Sequence, residues 1–199
     1  MTDTSISLLN NLRTSPQEEC WEKLTQIYSP LIRMWTSKYR VQDSDAEDLV
    51  QEVLLAVSKD IRGFEHRGPR AFRGWLKAIL LNRLRKYWRN RDRLPKVGAG
   101  SELDRKLDEL EDPASGLSVL WNQEHDLFVL RQLLEFVKPH FEPKTWMAFC
   151  QVTLNGSKPE SVAQDLGISP NAVCLAKSRV IRRLRQEADG LVESSSNFF

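Results

Sequence analysis

Apolar residues in this chain recur at intervals of three and four and hardly ever in alternation, a pattern buried by helices that pack through one face. From Trp21 to Tyr39 the stripe is Trp21, Leu24, Ile27, Tyr28, Leu31, Ile32, Trp35 and Tyr39. Pro30 falls inside it and is expected to kink or split that helix, because proline removes a backbone donor. A second stripe runs through Ala46, Leu49, Val50, Val53, Leu54, Val57 and Ile61. It follows Asp43 and Ser44, residue types that cap a helix, and has acids in its first turn. Gly63, Gly68 and Pro69 mark a loop. A long helix is then expected from about Phe72 to Arg91, with Phe72, Trp75, Leu76, Ile79, Leu80, Leu84, Tyr87 and Trp88 inward.

Residues 95–121 break the pattern. Positions 98–116 hold six acidic residues against two basic ones, flanked by glycine, proline and serine, which reads as a flexible acidic linker. Periodicity resumes at Leu127, Leu130, Leu133, Leu134 and Val137. The expected fold is therefore all-α: two small helical domains, 1–94 and 122–191, joined by the acidic linker 95–121 and followed by a tail, 192–199. At 199 residues and 41% hydrophobic, the chain has enough apolar material for two cores.

Three cysteines, Cys20, Cys150 and Cys174, lie far apart and form no C-x-x-C pair, which argues against a disulfide framework and a zinc site. The histidines, His66, His125 and His140, are not at metal-ligand spacing, so no metal or cofactor is expected. The N-terminus lacks a basic stretch followed by an apolar one, and no apolar run approaches the roughly 18 residues of a membrane span. A reduced, cytoplasmic protein without membrane insertion is expected.

The segment PESVAQDLGISPNAVCLAKSRVIRRLRQE has the spacing of a helix-turn-helix. Pro159 suits the first turn of one helix, and Val162, Ala163 and Leu166 form its inner face. Gly167 permits the left-handed turn and Ile168 plugs it; Ser169 caps the second helix and Pro170 starts it. Val173, Ala176 and Val180 face back. An ordinary helical hairpin would show similar periodicity, but Lys177, Arg179, Arg182, Arg183 and Arg185 are five cations in nine residues without an acid, which suits docking against phosphates.

The N-terminal half pairs opposite charges. DAEDLVQEVLLAV puts Asp45, Asp48 and Glu52 on one helical side beside Glu47 and Gln51, a face that is either simply solvated or suited to a basic protein. From Arg62 to Arg93 there are eleven basic residues and two acidic ones, interleaved with Phe64, Phe72, Trp75, Tyr87 and Trp88. Cations neutralise phosphates and exposed rings stack on unpaired bases. Phe72 and Trp75 are expected in the core; Phe64 and His66, in the loop, are the better candidates for base contact.

DAEDLVQEVLLAV followed by F-x(7)-FRGWLKAILLNRLRKYWR resembles the second conserved region of extracytoplasmic-function (ECF) RNA polymerase sigma factors, and the helix-turn-helix resembles their fourth. The resemblance implies a non-enzymatic subunit that binds core RNA polymerase and directs promoter-specific initiation. Asp45, Asp48, Leu49, Gln51 and Glu52 would dock on the clamp helices of the largest polymerase subunit. Phe64, His66, Arg70, Arg73, Lys77, Asn82, Arg85, Lys86 and Arg89 would hold the melted non-template strand of the −10 element. Ser169, Asn171, Cys174, Leu175, Lys177, Ser178, Arg179 and Arg182 would meet the double-stranded −35 element. An anti-sigma partner wedged between the domains, and a monomeric free state, are also implied. Two positions depart from the family pattern: Asn82 is followed by Arg85 and Lys86 rather than an aspartate, and Cys174 and Leu175 put apolar groups where bases are read.

On the residues alone, a plain helix-turn-helix regulator that senses or dimerises through its N-terminal domain also explains the C-terminal segment, but not the acidic and basic helix pair. An enzyme lacks its parts: the chain has no glycine-rich phosphate loop, no H-E-x-x-H and no nucleophile set beside a base.

Overall fold

A computed structural model describes residues 8–14, 17–65, 71–92 and 100–192, and every described element is helical. The chain divides into two compact units, one built on Leu8–Val129 and one on Leu130–Asp189.

The first unit contains α1 (Leu8–Thr14), α2 (Glu18–Lys38), α3 (Asp43–Asp60), α4 (Ala71–Asp92), α5 (Gly100–Glu111) and the beginning of α6 (Gly116–Val137). Pro30 lies inside α2 without dividing it. The proline is exposed, while Ile27, Tyr28, Leu31 and Ile32 are buried and hold the helix across the missing amide bond. Asp43 is the first residue of α3 rather than its cap; Gln42 precedes it without a side-chain bond, and Asp43 and Asp45 complement the positive end of the helix. Helices α2, α3 and α4 pack in sequence, with α1 against α2. Their core is aromatic: Phe72 meets Tyr28 edge-on at 5.5 Å, and Trp35 stacks on Trp121 of α6 at 4.0 Å.

Where a linker was expected, the structure has a helix. Leu103, Leu107 and Leu110 recur at four and three, and Leu107 and Leu110 are fully buried as α5 packs on α4. Ion pairs four residues apart, Lys106 with Glu102 and Arg105 with Glu109, run along its outer side. The next helix starts at Gly116, before the expected domain boundary, and buries Ser118, Trp121, His125, Val129 and Leu133. Leu127, read as part of the inner stripe, is 48% exposed.

The second unit holds the end of α6, α7 (Pro143–Phe149) with a π-helical turn after it, α8 (Pro159–Leu166) and α9 (Pro170–Ala188). Ala148, Val162, Ala163, Val173 and Ala176 form its small-residue core, with Val152, Leu166 and Ile168 against it. Small side chains at this crossing let α8 and α9 approach closely. Pro159 and Pro170 each occupy a first turn, and Gly167 at φ 63°, ψ 43° makes the left-handed end of α8. Ser169 Oγ accepts from the Ala172 amide at 3.1 Å and caps α9.

Candidate functional site

On α3, Asp48, Gln51 and Glu52 are exposed. Asp45 is turned toward α4, where it accepts the Tyr87 hydroxyl at 2.6 Å, and Glu47 pairs with Arg33 of α2. Glu52 reaches Arg83 of α4 at 3.7 Å. Leu49, expected on the same docking face, is 4% exposed, because its place on the apolar stripe turns it inward, and it lines the groove beneath the acidic side chains. Between α3 and α4 runs an open groove of about 570 Å³ with Asp45, Asp48 and Glu52 on one wall and Arg83, Lys86 and Tyr87 on the other.

The expected strand-gripping residues that the structure describes fall into three groups. Asn82, Lys86 and Arg89 are exposed on α4. Arg73, Lys77 and Arg85 are engaged by the segment after α4. Arg73, only 3% exposed, donates to Asp126 at 2.5 Å. Lys77 donates to the Leu110 carbonyl at 2.9 Å and to Ser118 Oγ at 2.7 Å, and lies over the Trp121 ring. Arg85 bridges Asp108 and Glu111 at 2.9 and 2.6 Å. Finally, Phe64 is not open in the loop: at 7% exposure it packs on Phe72 and Trp75, 5.7 and 5.0 Å away, and belongs to the aromatic core. His66 and Arg70 lie outside the described residues.

Behind Arg73 a buried polar chain continues inward. Asp126 can only accept, so His125 donates to it from Nδ1 at 2.8 Å and turns Nε2 to the Tyr28 hydroxyl, 3.4 Å away. Burial pushes the imidazole below its ordinary pKa of 6.5 against the opposing pull of Asp126, and keeps it neutral. Burial likewise pulls Lys77 down, with the Arg73 charge adding to the effect. Sequence reading missed His125, Asp126 and Ser118. The signal for them was the four-residue spacing of Trp121, His125 and Val129, interrupted by its own polar members.

Residues 24–94 match the family model of sigma-70 region 2. The match supports a member of the sigma-70 superfamily with a role in promoter-specific transcription initiation, a family that is in general non-catalytic. Sigma region 2 implies binding to core RNA polymerase and promoter DNA. No curated protein matches the chain. The region 2 segment begins within α2 and ends just beyond α4, so α5 and α6 lie outside it although their packing completes the same unit.

On α9 of the second unit, Asn171, Cys174, Leu175, Ser178, Arg179 and Arg182 are exposed and Lys177 is half-buried. Ser169 is exposed, with its hydroxyl committed to the cap. Arg183, counted among the cations of this helix, pairs with Glu187 one turn on at 2.8 Å. Lys177, Arg182 and Arg185 border a shallow groove of about 630 Å³ along α9. No described helix is long and apolar enough to cross a membrane.

Proposed function

We propose that this protein is a cytoplasmic sigma factor of the ECF type that binds core RNA polymerase and recognises promoters at two elements. The observation that carries this reading is the acidic α3 face set beside the basic α4 within a segment matching sigma-70 region 2. Asp48, Gln51 and Glu52 dock on the polymerase; Asp45 takes part from its place against Tyr87, and Leu49 supports the face from beneath. Through α4 the protein grips the melted −10 strand, with Asn82, Lys86 and Arg89 exposed for it and His66 and Arg70 contributed by the sequence that precedes α4. The second unit reads the −35 duplex with Asn171, Cys174, Leu175, Ser178, Arg179 and Arg182, supported by Lys177 and the Ser169 cap. Arginine side chains at such a face contact phosphates and position the helix, while the shorter residues meet base edges. An anti-sigma protein holds the free, monomeric factor inactive.

Size-exclusion chromatography with sigma-free bacterial core polymerase tests the assignment. A one-to-one complex is expected, and it is lost in the Asp48→Lys/Glu52→Lys variant. A folded protein that never co-elutes overturns the sigma reading and leaves a plain helix-turn-helix regulator.

A further inference from the structure

Helix α4 carries its cations on two sides, and only one of them is open. Arg73, Lys77, Leu81 and Arg85 form a single row at four-residue spacing, so they share one strip of the helix surface. The segment that follows the region 2 match covers that strip from end to end. Asp126 of α6 takes Arg73, the Leu110 carbonyl and Ser118 hydroxyl take Lys77, and Asp108 and Glu111 of α5 take Arg85. Each acceptor offers oxygen to a cation at hydrogen-bond distance, which is what a phosphodiester backbone offers. Lys77 in particular meets the carbonyl-rich end of α5, where the helix dipole is negative.

We propose that α5 and the start of α6 act as an internal competitor of nucleic acid, masking the Arg73–Arg85 row of α4 until a strand displaces them. The proposal rests on the reading of α4 as a nucleic-acid surface and adds its regulation. The mask is graded along the helix. At the Arg85 end both carboxylates are exposed, so these pairs are individually weak and screened by salt. At the Arg73 end the pair is buried and backed by His125, so it opens only with local unfolding. Displacement therefore begins at Arg85, next to the exposed Lys86 and Arg89, where a strand already held by those two would arrive first.

The test is fluorescence anisotropy of the full chain with a labelled oligo(dT) of about 12 nucleotides, a length within the site sizes of single-strand binders. Four variants are compared with the parent: Asp108→Asn/Glu111→Gln, the same pair with Arg85→Ala added, Lys86→Ala/Arg89→Ala, and a charge-matched control, Glu18→Gln/Glu19→Gln, on the exposed start of α2. Circular dichroism confirms that each is folded. Unmasking is expected to tighten binding about threefold or more, the scale of two exposed ion pairs. Arg85→Ala removes the gain, and the control shifts affinity less than the unmasked variant does. Binding that depends on Lys86 and Arg89 but is unchanged by unmasking, or a gain matched by the control, overturns the mask and leaves the nucleic-acid reading intact. A parent and an unmasked variant that both fail to bind overturn the nucleic-acid reading of α4, and the mask with it.

Discussion

Arg73 shows how strongly a single residue is fixed by what surrounds it. Its guanidinium is buried against Asp126, and removing one partner of a buried pair leaves the other charge uncompensated. Arg73→Met should therefore lower the free energy of unfolding by about 3–5 kcal/mol, read from urea midpoints at unchanged slope. His125 adds a pH dependence of known sign. Its folded pKa lies below the ordinary 6.5, so the unfolded chain takes up a proton that the folded one refuses. This contribution to stability is complete above pH 6.5 and is lost as pH falls below it. Thermal melts across that window should show the loss, and His125→Asn should flatten it. In Arg73→Met, the neighbouring positive charge that opposes imidazolium is gone, so the damage should be smaller at pH 6 than at pH 8.

At the scale of elements, the turn between α8 and α9 is held by local chemistry. Gly167 has open space where a side chain would stand, so its requirement is backbone alone: φ of +63° lies in the region that side chains disfavour. Gly167→Ala should cost about 1–2 kcal/mol for that reason. Ser169→Ala should cost about 1 kcal/mol through the lost cap, and Ser169→Asn should restore most of it; denaturant unfolding checks all three. Such elements were legible in the sequence because each instruction sits on one residue: proline starts, glycine turns, serine caps. The long stripes of α2, α3 and α4 were legible by repetition. Helix α5 was not, because three leucines among five acids look like solvated linker until α4 is present to cover them. The α6 stripe was hidden by Ser118 and His125, polar residues whose burial depends on partners from Tyr28, Lys77 and Asp126. Phe64 misled in the opposite direction. It sits near charged, outward-looking neighbours, and the aromatic core claims it.

For the whole molecule, net charge is uninformative at +2, and the segregation of sign carries the argument. An acidic face on α3 and a basic face on α9 suit surfaces of opposite charge, so reversing or removing each should damage a different interaction. Duplex DNA without promoter sequence reads the basic face. Neutralising two phosphate contacts with Arg179→Ala/Arg182→Ala should weaken binding and reduce the slope of log affinity against log salt by about 1.8, at about 0.9 per contact. The same variant should still co-elute with core polymerase. Asp48→Lys/Glu52→Lys should do the reverse, abolishing co-elution while leaving duplex binding undiminished, since it removes charges that repel phosphate. A salt slope unchanged by the arginine variant would mean that α9 does not lie on the duplex backbone. A polymerase complex that broke in both variants would mean that the two faces serve one protein surface, and the division of labour between α3 and α9 would be wrong.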